Sequence, residues 1–186
     1  MASSEGLDMF SLRVVIAWIG VFFNALVFAS SSGEFKFDPA EEELFGSVYQ
    51  LADLAGTMYT VPAPGKLTLI NFWATFCGPC RQEMPALEKF WKRYQSQGVE
   101  VIAVALDGDR KRAVEKFASR YELTLPILLD NDSGISSDYA VSVLPVSYII
   151  DAKGVVLARI VGERNWDSEP AFAFIESYLE QQKTIE

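Results

Sequence analysis

The sequence predicts an α/β domain carried behind a hydrophobic export or anchor segment, and three observations carry that expectation. Residues 14–29, VVIAWIGVFFNALVFA, are sixteen positions without a charge, closed by SSSG at 30–33. From Glu34 onward, short apolar runs rich in strand formers alternate with stretches of helical periodicity. The chain's only two cysteines, Cys77 and Cys80, stand three apart where one such run gives way to a helix. With 186 residues, half of them apolar, the chain can bury a core, and its length argues for one domain, 34–186, behind the segment 1–33.

The leading segment has only Asn24 to offer as a polar face, so a helix of a soluble core is disfavoured. It is slightly long for the apolar stretch of a signal peptide and slightly short for a membrane span. Val27-Phe28-Ala29 offers a cleavage point, whereas Glu5 and Asp8 make a poor positive start. A cleaved signal and a retained anchor both remain open. Either delivers residues from about 34 onward to the outer side of a membrane.

Within the domain, 47–50 and 57–61 read as a hairpin around Asp53-Leu54-Ala55-Gly56. KLTLINFWA (66–74) is too short for a helix and reads as a buried strand. Pro79 to about Gln95 follows as an amphipathic helix, with Met84, Leu87, Phe90, Trp91 and Tyr94 at helical spacing. VEVIAVALD (99–107) is a second buried strand, and Arg110 to Tyr121 a second helix. Pro126 to Leu129 starts a short strand, and Asp132 to Tyr139 is a brief helix or turn. Pro145–Ile150 and Val155–Val161 form a hairpin through Asp151-Ala152-Lys153-Gly154. A last helix spans about 168–182, with Asp167 or Ser168 as cap and Pro170 in its first turn.

Composition then removes whole classes of chemistry. A net charge of −9 with thinly spread bases argues against nucleic-acid binding. There is no histidine, so Ser-His and Cys-His nucleophiles and His-ligated metals are excluded. Arg81 stands where c-type haem attachment would need a histidine. A structural zinc site would want four ligands, and two cysteines supply only half of them, so no metal is expected.

A stabilising disulfide is the plainest alternative for the pair, but so short a loop removes little unfolded-state entropy. Redox activity accounts for the strand–CxxC–helix setting better. A helix N-terminus carries unpartnered N–H groups and positive partial charge, which stabilise a thiolate at Cys77. Gly78 allows a close turn, and Pro79 suits a first turn that needs no N–H. Cys80, one turn inward, is placed to resolve a mixed disulfide formed at Cys77. Glu83 follows three residues later on the same face and could manage the proton of Cys80. Arg81 reads as a solvated or partner-facing charge.

The stretch WATFCGPCRQEMPAL resembles the active-site signature of the thioredoxin superfamily, in its membrane-associated TlpA/ResA-like branch. The likeness runs from about residue 44 to 182 and takes in LADLAG, EVIAVALD, VLPVSYIIDAKGVVLARIVG and VGERNWDSEPAFAFI. It implies a thioredoxin-like fold: a central mixed sheet flanked by helices, with an N-terminal hairpin extension. It implies a Cys77–Cys80 disulfide, with Cys77 as nucleophile and Cys80 as resolving thiol. Pro145 matches a cis-proline facing that disulfide, and Leu144 would present backbone groups to a bound substrate strand. Trp73, Phe76, Gly78 and Pro79 complete the implied substrate-binding set, although a core aromatic is Trp73's simplest role. Glu83 matches an acidic residue beside the active site. The reaction asks for no cofactor.

Three departures bear on this expectation. Phe76 replaces the usual tryptophan and removes an indole donor from the lip of the site. Asn71 stands where classical thioredoxins bury an aspartate, which places more weight on Glu83. Val146 follows Pro145 where threonine is common. The resemblance implies an extracytoplasmic thiol:disulfide oxidoreductase, periplasmic or on the outer face of the cytoplasmic membrane. It would reduce selected protein disulfides, on apocytochrome c or respiratory copper-site proteins, with electrons from a membrane thiol carrier. Gly-Pro between the cysteines favours the reducing direction, near about −270 mV rather than about −120 mV. The alternatives are a redox-linked chaperone or metal-delivery module, and a peroxiredoxin-like peroxidase. The peroxidase is weakened by Ala74, which stands where that chemistry places a threonine or serine.

Overall fold

A computed structural model describes residues 38–39 and 47–183 of the chain. The expected export segment, 1–33, lies outside the described residues. Among those described, no helix is long and apolar enough to cross a membrane.

Strand β1 (Asp38–Pro39) is a two-residue bridge, and β2 (Tyr49–Ala52) pairs with β3 (Met58–Val61) as a separate antiparallel hairpin. The hairpin turn forms where expected: Asp53 Oδ1 accepts from the N–H groups of Ala55 (2.9 Å) and Thr57 (2.7 Å). Strand β4 (Leu67–Trp73) leads into helix α1 (Gly78–Tyr94), a 3₁₀ turn (Gln95–Gln97) and strand β5 (Val99–Ala105). Helix α2 (Lys111–Arg120), β6 (Ile127–Leu129) and α3 (Gly134–Asp138) follow, then β7 (Val146–Ile150), β8 (Val156–Val161) and α4 (Glu169–Lys183).

The main sheet has six strands in the order β1-β8-β7-β4-β5-β6 and is mixed. β4, β5 and β6 run parallel, while on the other side of β4 strand β7 is antiparallel to β4 and β8 is antiparallel to β7. A parallel pair needs a crossover, and α1 supplies it between β4 and β5. Both sheet faces are covered, which is why every residue of β4 is buried rather than every second one. Leu69, Trp73, Val101 and Ala103 pack with Leu87 and Phe90 of α1, Phe117 of α2 and Phe172 of α4. Ile70, Phe72, Ile102 and Val104 pack with Val61, Ile135 and Tyr139.

Several local details are set by packing and by side-chain hydrogen bonds. Helix α1 runs through Pro85, which cannot donate the backbone hydrogen bond due at its position. Packing of Met84, Leu87, Phe90 and Tyr94 holds the helix across that gap. Glu88 is buried, and its carboxylate accepts from Thr124 N (2.9 Å), Thr124 Oγ1 (2.5 Å) and Leu125 N (2.9 Å). Ser168 directly precedes α4, at the expected cap position, and its hydroxyl donates to Asn165 O (2.6 Å), while Asp167 pairs with Lys89 (2.7 Å). The pairing of β1 with Arg159 and Ala158 of β8 has no signal in so short a segment.

Candidate active site

The site begins at the C-terminal end of β4. After Trp73 the chain makes a short loop, in which Cys77 N donates to Ala74 O (3.1 Å), and then enters α1. Cys77 is the N-cap of that helix, in extended backbone (φ −84°, ψ 112°), and its Sγ accepts from Cys80 N at 3.3 Å. Cys77 and Cys80 are joined by a disulfide, with Cα atoms 5.3 Å apart. Cys77 is partly exposed, whereas Cys80 is fully buried. The two sulfurs therefore differ in access as well as in position: one caps the helix at the surface, the other sits one turn inward.

Glu83 lies further along the same face and is 4 % exposed. Its Oε1 accepts from Asn71 Nδ2 (2.7 Å) and its Oε2 from the backbone N–H of Arg164 (2.9 Å). Burial pushes the carboxyl up from 4.5 to about 7, although the Arg164, Asn71 and Trp166 donors pull the other way; the charge of Glu163 adds to the rise. Asn71 Nδ2 also donates to Ser147 Oγ (3.0 Å), so β4, β7 and α1 meet in one buried polar cluster. Two residues singled out from sequence for separate reasons, Asn71 and Glu83, thus touch each other. Ser147, Arg164 and Trp166 complete the cluster and were not read as part of it, since nothing local ties them to the motif.

The loop before Cys77 is held from β5's end. Asp107, 4 % exposed, accepts from Thr75 N (2.9 Å) and from the Thr75 hydroxyl. Arg110 pairs with Asp107 (3.5 Å) and lies 4.7 Å over the ring of Phe76. Phe76 is 61 % exposed, which fits a lip residue. The sequence signal for Asp107 is no more than an acid just beyond the buried strand β5.

The other expected site residues fall as follows. The Leu144–Pro145 peptide is cis, and a second cis bond, Val61–Pro62, was not anticipated. Register pairs Phe72 with Val146, so Pro145 lies beside the end of β4 from which the cysteine loop departs. Pro145 O accepts from Gly162 N (2.8 Å), and Leu144 is partly buried against the core. Gly78 is partly exposed and Pro79 exposed, in the first turn of α1. Trp73 is a correction: it is fully buried and packs on Phe117, ring centroids 5.1 Å apart, so it offers no surface to a substrate.

Comparison with known proteins agrees with this geometry. The AhpC/TSA family model matches residues 48–159. The thioredoxin-like protein YneN of Bacillus subtilis is 46% identical over 117 residues, which is 61% of this chain and 68% of that protein. The thiol-disulfide oxidoreductase ResA of Geobacillus thermodenitrificans is 41% identical over 115 residues, 61% of this chain and 66% of its own length. A crystal structure from Chlorobium tepidum, provisionally assigned as the thiol:disulfide interchange protein DsbE, superposes with a TM-score of 0.67 at 28% identity. It covers 77% of this chain and 99% of its own. With a disulfide capping the helix that follows the central strand, and relatives of this kind, the chain belongs to the AhpC/TSA family and is a thiol:disulfide oxidoreductase of its thioredoxin-like branch.

Proposed function

We propose that the protein works outside the cytoplasm as a reductant of selected protein disulfides, cycling Cys77 and Cys80 between dithiol and disulfide. The observation that carries this reading is the asymmetry of the pair: Cys77 partly exposed at the helix N-cap, Cys80 buried behind it. In the reduced protein, Cys77 is the sulfur positioned for attack as a thiolate. It forms a bond to one sulfur of the substrate disulfide, and the other leaves as a thiolate that takes up a proton. Cys80 loses its proton to the Glu83 carboxylate and attacks Cys77 Sγ. The second substrate thiolate is released, and two electrons have passed to the substrate. A carboxyl raised to about 7 can accept that proton and return it near neutral pH.

Pro145, Leu144 and exposed Phe76 are assigned to the substrate groove, with Gly78 and Pro79 shaping the first turn of α1. The apolar segment 14–29 supports an extracytoplasmic location, exported or held at the outer face of the membrane. Apocytochrome c or a copper-site protein is the substrate type the resemblance suggests, with a membrane thiol carrier restoring the dithiol. A peroxidase reading gains nothing, because Ala74 is buried and has no hydroxyl.

The test is a pair of variants in a disulfide-reduction assay. Cys77→Ser is expected to abolish turnover, and Cys80→Ser to accumulate mixed disulfides with substrate proteins. Equal loss with no trapped adduct in either variant overturns the assignment of roles. Mass-tagging of the thiols in cells reads the direction: a mostly reduced pair supports a reductase, a mostly oxidised pair refutes it.

A further inference from the structure

A groove of about 200 Å³ runs beside the cysteine loop, between the start of α1 and the exposed face of α2. It is lined by Thr75, Arg81, Ala113, Lys116, Phe117, Arg120 and Tyr121. Three of these side chains are cations and none is a carboxylate, in a chain that carries 25 acidic and 16 basic residues. Most cations elsewhere on this face are already engaged. Arg110 is held by Asp107 and laid over Phe76, and Lys111 pairs with Glu115 at 3.7 Å. No ion pair within 4 Å among the described residues uses Arg81, Lys116 or Arg120; Arg120 lies only 6.0 Å over the ring of its neighbour Tyr121.

We propose that this groove docks an acidic segment flanking the reacting disulfide of the protein substrate. The inference rests on the reductive reading above and names the substrate class for that site. Location connects it to the chemistry: Thr75 lies two residues before Cys77, and Arg81 directly follows Cys80. A substrate chain crossing the lip at Phe76 therefore runs into the groove within a few residues. Three like charges converging from two helices repel one another, and a carboxylate-bearing segment relieves that repulsion while it orients the disulfide. Tyr121, 42 % exposed, adds apolar contact in the groove, and Phe76, 61 % exposed, adds it on the neighbouring lip. A long polyanion is not the occupant the charge favours, because the chain as a whole carries −9 and repels it beyond the groove.

The experiment uses the full chain in detergent, reduced and freed of excess thiol, and follows single-turnover reduction of three substrates. Two are peptides with the same disulfide, flanked by glutamates in one and lysines in the other. The third is the neutral 2-hydroxyethyl disulfide. At low salt the glutamate peptide is expected to react about tenfold faster than the lysine peptide, and the gap to close to within about twofold in about 0.5 M NaCl. In the double variant Lys116→Glu/Arg120→Glu the preference should reverse, while the neutral disulfide reacts within about twofold of the parent rate. That last rate also reports that the variant is folded. Equal rates for the two peptides in the parent protein overturn the docking proposal and leave the reductive reading standing. So does equal slowing of all three substrates in the variant, since the effect would then lie at the disulfide. Failure of the parent protein to reduce any of the three overturns the reductive reading, and the docking proposal with it.

Discussion

Replacing Glu83 by glutamine should remove a pH dependence of stability whose size follows from the site. The carboxyl is nearly fully buried and raised from 4.5 to about 7 in the folded protein, first by burial, against the pull of its hydrogen-bond donors. Below pH 4.5 the folded and unfolded chains both hold the proton, and its contribution to stability is complete. As pH rises toward 7 the unfolded chain releases the proton while the folded chain keeps it, so unfolding grows easier. Above 7 both have lost it, and the loss is final. At about 1.36 kcal/mol per pH unit, that window corresponds to roughly 3 kcal/mol between pH 4 and pH 8. Glutamine carries no titrating proton and has nearly the same shape. Its oxygen can still accept from Arg164 N–H, and its amide can donate to Asn71 once that amide turns, with Ser147 as a further donor. Any fixed cost of the exchange is independent of pH. The assay is chemical denaturation of the oxidised full chain and of Glu83→Gln, followed by tryptophan fluorescence from pH 4 to pH 8. The stability of the variant relative to the parent should climb by about 3 kcal/mol across that range. A flat difference would show that Glu83 titrates alike in both states and would refute the raised carboxyl, and with it the proposed proton route.

Two further outcomes test the scaffold. Phe90 is fully buried among Tyr94, Trp166 and Phe172, with ring centroids 4.7, 5.5 and 6.5 Å away. Phe90→Ala should cost about 3–5 kcal/mol in the same denaturation assay, and a cost under about 1 kcal/mol would mean the site collapses to fill the cavity. Thr75→Val deletes the hydroxyl that donates to buried Asp107 while keeping the backbone donor. It should cost about 1–3 kcal/mol, and Thr75→Ser should restore most of it; equal losses in both variants would argue against a hydrogen-bonded clamp.

Much of the domain was legible because its signals are local. The apolar runs of β4 and β5 announce strands buried on two faces, and the 3–4 spacing of Met84, Leu87, Phe90 and Tyr94 announces α1. Asp151 to Gly154 announces its own turn, where Gly154 takes a φ of 90° that side-chain-bearing residues avoid. The boundaries of α1, α2, β6, β7 and β8 fall within a residue or two of expectation for the same reason. Pro85 shows where the local rule gives way: it argues against an unbroken helix, and the burial of α1's apolar face overrides it.

The sequence by itself determined the chemistry. It has two cysteines at helix-turn spacing, no histidine to divert them toward a metal or another nucleophile, and a strand before and a helix after. Tertiary structure alone decided what surrounds that chemistry. Asn71, Glu83 and Ser147 come from β4, α1 and β7, and only the sheet register and the helix docked on it bring them into contact. Thr75 meets Asp107 across 32 residues, and Arg81 shares a groove with Lys116 and Arg120 because α1 and α2 converge beside the loop. Such contacts carry no periodicity along the chain. They arise from the entropy-costly closure of long loops around a core, so they exist only once that core has formed.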